Sequence, residues 1–421
     1  MDILLIMAVV HLLIVTVGYV VNRFLRLPWM FTVVVSGMVF SALGLFSEVR
    51  ASTNFQFLAQ MGMLFFLFTI GIDLDLSRIR EVGSQIVVGN ILMTLTEGIC
   101  LGLFFYLVLP SFVNGSFWVA LLAGLAFGTV GEVVLVAILQ EFGLEKTRFG
   151  QLALGIGVFD DVFELLVLAI IVALPAFVNQ DGAGDPWRTS IAIPLTLGGV
   201  IGATWLLARL GRFIRPALEG IKNDHAVIPP LIFLILFSFT YFSSRGYEGV
   251  GLVGAIFSGI GVVKILPPKL MMKYKRPVFF VGKVFLGPFF FLSLGGGMSF
   301  ESLLTYPLLV LAIMAICLAT RMAVSYALFH RLLGKRPSLA MGVGLTSKFS
   351  TSIISENLLL SAGLIAQPLY SAMMAAFILL KPVIVGVFSR ELAISRDVLA
   401  EEAGARPTQT APVSIADASA E

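Results

Sequence analysis

The chain is a succession of apolar runs joined by short polar connections. Each run approaches the roughly 20 residues that, rising about 1.5 Å apiece, cross the ~30 Å hydrocarbon layer of a bilayer. Runs of this kind predict thirteen helices, at about 3–21, 28–46, 55–72, 85–109, 117–139, 151–178, 190–209, 226–243, 249–264, 278–298, 306–330, 338–362 and 367–389. Basic residues then alternate from one connection to the next. Arg23 and Arg26, Arg78 and Arg80, Lys146 and Arg148, Arg209 through Lys222, Lys264 through Arg276, and Arg331 through Arg336 fall in every second one, while the others hold only Arg50, Arg188 and Arg245. The positive-inside rule puts the amino terminus outside and the carboxyl terminus in the cytoplasm.

Composition agrees with a polytopic membrane protein. Of 421 residues, 58% are hydrophobic and 13% charged, and no separate soluble domain stands out. The net charge of +3 adds little beside the placement of the basic residues. Cys100 and Cys317 both fall in apolar runs, so neither a disulfide framework nor a metal cluster is expected. The Met-Asp start has no basic n-region and reads as a retained helix rather than a cleaved signal. Residues 391–421, acidic and alanine-rich, read as a short disordered cytoplasmic tail.

An internal repeat is visible at an offset of seven helices. Phe65 through Gly71 closes the third helix and Phe290 through Gly296 the tenth, and Glu97 of the fourth matches Arg321 of the eleventh in depth. Because seven is odd, the two six-helix repeats are inverted in the membrane, with the seventh helix as connector. The matched fifth and twelfth helices are interrupted. Gly124, Gly128, Thr129 and Gly131 break the fifth, and Gly342, Gly344, Thr346, Ser347, Ser350, Thr351 and Ser352 crowd the twelfth. Such clusters also serve close helix packing, but a charge sits in each break, which favours unwound, crossing helices around a site at the midplane.

The charges at that level carry the candidate chemistry. Asp160 and Asp161 stand side by side in the middle of the sixth helix, about 15 Å from its cytoplasmic end. A carboxylate at that depth costs about 2.5–3.5 kcal/mol or more, so a pair implies ion or proton handling with a compensating cation elsewhere. Arg321 and Lys348 supply cations at the same depth. Glu132 and Lys348 are read as a pair across the crossing of the two broken helices. Glu164 shares a helical face with the Asp pair and either lines the approach or pairs locally. Thr129, Ser347 and Thr351 are possible lining residues. Glu356 is read as a solvated cavity residue, Lys283 and Lys381 as snorkelling side chains near helix ends, and Asp73 and Asp75 as surface charges.

With these features the chain resembles the monovalent cation:proton antiporter superfamily, in particular its bacterial sodium/proton exchanger-like branch, related to the potassium efflux antiporters. The resemblance covers about residues 1–390 and rests on the Gln151-Leu-Ala-Leu-Gly to Phe159-Asp160-Asp161 run, the Phe-Phe to Gly helix ends and the two interrupted helices. It implies that Asp161 binds cation or proton while Asp160 pairs with Arg321. It also implies a homodimer, with a scaffold of helices at about 1–72 and 226–298 and a mobile core at about 85–178 and 306–389 that carries the site across in an elevator-like movement. Two aspartates with an arginine in the eleventh helix mix the patterns of electrogenic and electroneutral relatives, and Lys348 stands where a Gly-Glu-Phe pattern is expected.

The sequence therefore predicts an all-α inner-membrane protein that exchanges Na⁺ or Li⁺ for H⁺, without a cofactor. Competing readings are a K⁺/H⁺ antiporter of the same fold, a sodium-coupled organic-anion symporter and a transport-inactive membrane sensor. No nucleophile–base set, metal motif or phosphate loop points to an enzyme, and nothing points to nucleic acid.

Overall fold

The computed structural model describes residues 3–25, 29–74, 83–145, 147–173, 186–221, 224–246, 249–348 and 351–401, and every regular element among them is helical. Thirteen apolar segments follow in order. α1 runs Ile3–Leu13 and passes through a π-turn at Ile14–Gly18 into Tyr19–Leu25. Then come α2 (Trp29–Ala42), α3 (Thr53–Asp73), α4 (Ser84–Val108), α5a (Phe117–Phe127) with α5b (Glu132–Glu141), and α6 (Arg148–Ala173). α7 (Pro186–Glu219) leads into α8 (Asp224–Gly246), α9 (Val250–Ile265), and α10a (Pro268–Phe279), joined by a π-turn to α10b (Gly287–Gly296). The chain ends with α11 (Pro307–Leu333), α12a (Lys335–Gly344) with α12b (Thr351–Ser361), and α13 (Gln367–Glu401). By length and composition, eight of the described helices can cross a bilayer, and α2, α5a and α9 are shorter apolar helices.

Three helices differ most from the bounds the sequence predicts. α10 begins at Pro268 rather than near 278, because Lys269, Lys273, Lys275 and Arg276 lie on an amphipathic first stretch that an apolar window does not register. α7 extends beyond 190–209 at both ends. α13 continues to Glu401, through residues expected to be a disordered tail, since Glu391 to Glu401 is rich in strong helix formers and contains no glycine or proline. Residues 402–421 lie outside the described residues, as do Asp75, Arg78, Arg80 and Lys146 and the side chains of Glu132 and Arg188.

Packing falls into two groups. α10b lies on α2 and α3, α3 on α9, and α7 and α8 on α9; separately, α4 lies on α5a and α11, α6 on α4, and α13 on α11 and α12a. The repeated Phe-Phe to Gly motifs meet each other, with the Phe66 and Phe291 rings edge to face at 5.3 Å. Glycines permit the closest helix approaches. A Cβ at Gly124 would strike the Gly98 carbonyl, and one at Gly295 the Val34 carbonyl.

Ion pairs bring together connections expected on one side of the membrane. Asp73, at the end of α3, meets Lys275 at 2.8 Å and Lys283 at 3.2 Å, and Asp224, at the start of α8, meets Lys273 at 2.7 Å. Lys283, expected to snorkel, and Asp73, expected as a surface charge, thus pair with each other. At the opposite end of α10, Arg50 donates to the Gly296 carbonyl at 2.7 Å.

Candidate functional site

The two helix breaks adjoin each other. α5a stops at Gly128 and α5b starts at Glu132, so the N–H groups between them lack partners within a helix. The Gly131 N–H instead donates to the Ser347 carbonyl in the second break, at 2.6 Å. Phe349 and Ser350 of that break lie outside the described residues.

α6 supplies carboxylates to both. Asp160 is fully buried, and its Oδ2 accepts the Val130 N–H at 2.5 Å while Oδ1 accepts the Thr94 hydroxyl at 3.1 Å. One turn on, Glu164 accepts the Thr129 hydroxyl at 2.6 Å and the Thr351 hydroxyl at 2.5 Å. A carboxylate therefore faces the beginning of each second half-helix, where the positive end of the helix dipole lies. Asp161, between them in sequence, is partly exposed.

Cations face the opposite half-helix ends. Arg321 of α11, fully buried, donates to the Gly128 carbonyl at the end of α5a and to Glu97 of α4. Glu97 carries a second cation on its other oxygen, Lys348 Nζ at 2.7 Å. Lys381 of α13, also buried, donates to the Ser347 hydroxyl at 2.8 Å, just past the end of α12a. The broken helices thus meet positive side chains where their carbonyls are free and negative ones where their N–H groups are free.

Several expected pairings change. Asp160 is held by Val130 and Thr94, and Arg321 is paired with Glu97 rather than with Asp160. Lys348 also meets Glu97, and the side chain of Glu132, its expected partner, lies outside the described residues. Lys381 does not snorkel: it is buried at the second break. Glu356 is not solvated but wholly buried. The sequence reading passed over Asn90 and Thr94. With Glu97 they recur at helical spacing on one buried face of α4, a polar stripe that periodicity alone could have found.

This geometry can be set beside known proteins. The family described as sodium/hydrogen exchanger, transmembrane, matches residues 11–392. The chain belongs to that family. Among curated members, it is 24% identical over 331 residues to the Na⁺/H⁺-K⁺ antiporter GerN of Bacillus cereus, covering 76% of this chain and 79% of that one. It is 26% identical over 301 residues to the glutathione-regulated potassium-efflux system protein KefC of Cronobacter sakazakii, covering 70% of this chain but 43% of KefC. The exchanger fold is also seen in the solved structure of the sodium proton antiporter MjNhaP1 from Methanocaldococcus jannaschii, with a TM-score of 0.54 at 16% identity and coverage of 94% and 96%.

Proposed function

We propose that this protein exchanges a monovalent cation for protons across a membrane, with Asp161 holding cation and proton in turn. One arrangement carries the reading: α6 anchors Asp160 and Glu164 on the free N–H and hydroxyl groups of both helix breaks. Asp161, partly exposed, is thereby fixed beside them. Hard carboxylate oxygens suit small cations, and a carboxyl whose access to water changes can trade a cation for a proton. Asp160 positions the helix. Arg321, Lys348, Lys381 and Glu132 set the local charge, and Thr129, Ser347 and Thr351 fix the breaks around the ion.

In this reading α4–α6 and α11–α13 move as a core against α1–α3 and α8–α10 in an elevator-like step, with α7 as connector. The protein is an inner-membrane homodimer, its amino terminus outside and its carboxyl terminus cytoplasmic. The names of the relatives support Na⁺ as substrate, and the likeness to the potassium-efflux protein supports K⁺ as the competing choice.

Proteoliposomes with an imposed pH gradient test this. Addition of Na⁺, Li⁺ or K⁺ is expected to collapse the gradient for at least one of them, and its dependence on a clamped potential reads out electrogenicity. Asp161→Asn is expected to abolish exchange while the protein stays folded; retained exchange removes Asp161 from the central role.

A further inference from the structure

Glu356 stands apart from the carboxylates described so far. It lies on α12b about 8 Å, or five residues, beyond Thr351 toward the helix end at Ser361. Its side chain is fully buried, and neither carboxyl oxygen has a hydrogen-bond partner. One helical turn earlier on the same face, Ser352 is also buried, and its hydroxyl also lacks a partner. Two polar groups left without partners in a dry interior are expensive unless they have a task.

The surroundings narrow that task. α12b packs against α5a, α6 and α13. α5a carries no titratable side chain. The α6 carboxylates Asp160 and Glu164 are bonded to Val130, Thr94, Thr129 and Thr351, and Asp161 adjoins them on the same helix. On α13, which packs against α12b, Lys381 lies at the break, bonded to the Ser347 hydroxyl, and the Tyr370 hydroxyl is bonded to the Leu294 carbonyl. No cation is paired with Glu356 among the described residues, so in this conformation the carboxyl is held as the neutral acid.

The adjoining contacts tie this state to one position of the core. The Tyr370 hydroxyl donates to the Leu294 carbonyl at 3.1 Å, Gln367 donates to the Gly297 carbonyl at 3.1 Å, and the Ser299 N–H donates to the Ser371 hydroxyl at 2.8 Å. All three join α13 to the end of α10b and the turn after it. Movement of α12b and α13 away from that end breaks these bonds and opens the Glu356 environment.

We infer that Glu356, with Ser352 beside it, is a second proton-binding site of the transport cycle, lying between the Asp160–Asp161–Glu164 cluster and the Arg50 end of the molecule. Its O–H bond breaks when the core leaves that end, the proton passing to water and the carboxylate remaining. A proton taken up from water restores the neutral acid before the core returns. The inference rests on the antiporter reading.

Proton release on cation addition tests it, in the purified full-length protein in weakly buffered detergent solution with a pH-indicating dye. With NaCl, LiCl or KCl in turn, wild type is expected to release protons, Glu356→Gln about one fewer per chain, the share of a single titrating carboxyl, and Ser352→Ala to shift the pH of half-maximal release. Wild-type release and an unshifted pH profile in both variants would overturn the inference. If Glu356→Gln does not fold, infrared difference spectra of the wild type decide: cation addition is expected to bleach a buried carboxylic-acid carbonyl band that survives in Asp161→Asn with the cation-free core. Absence of any such band in the wild type overturns the inference. Failure of the antiporter reading itself looks different, since the wild type then releases no protons and collapses no gradient.

Discussion

Glu97 answers two cations at once, Arg321 on one oxygen and Lys348 on the other. Replacing it by glutamine strands both in a dry interior, and breaking a buried ion pair costs about 3–5 kcal/mol. Lys348→Met removes one cation and leaves Glu97 neutralised by Arg321, so it is expected to cost less than Glu97→Gln. Unfolding in detergent checks the order; equal losses would mean that Lys348 has another counter-charge, for which Glu132 is the candidate. Glu164 invites a parallel test. Thr129→Val or Thr351→Val each removes one of its donors and leaves a buried carboxylate oxygen without its bond, an expected loss of about 1–3 kcal/mol. The corresponding serine variants keep the hydroxyl and are expected to recover most of that stability.

Among the elements, the broken helices depend on how closely their neighbours approach. Gly124→Ala drives a Cβ into the Gly98 carbonyl and toward the Gly102 nitrogen, both backbone, so α4 and α5a have to separate. Overpacking of this kind costs about 1–3 kcal/mol, and because α5a ends at the first break, the variant is expected to lower exchange together with the unfolding temperature. The thirteen segments and both breaks were legible in the sequence, because apolar runs of spanning length and clusters of glycine and hydroxyl residues are local signals. The pairings were not. Each residue turns a side chain by about 100°, so Arg321, Lys348, Glu132, Asp160 and Glu97 share a depth without sharing a direction, and only the helix rotations decide which of them meet. Lys381 differs for another reason: its depth is counted from a helix end at 389, whereas α13 runs on to Glu401, about 30 Å beyond Lys381.

For the whole molecule, the bonds from Tyr370, Gln367 and Ser371 to the end of α10b and its following turn fasten one packing group to the other. Each contributes about 1 kcal/mol, so Tyr370→Phe or Ser371→Ala is expected to shift the balance between core positions several-fold. Hydrogen exchange checks the second variant, in which the Ser299 amide loses its acceptor and is expected to exchange faster. A different consequence follows from the bond between Gly131 and Ser347 and from the reach of Arg321 to Gly128 and Glu97. A ribosome finishes the first half of this protein long before it makes Ser347 or Arg321, and during that interval the Gly131 N–H and the Gly128 carbonyl of the first break wait in the bilayer without those partners. The first half made alone is therefore expected to be short-lived in the membrane, and the second half, supplied as a separate polypeptide divided between α7 and α8, to rescue it.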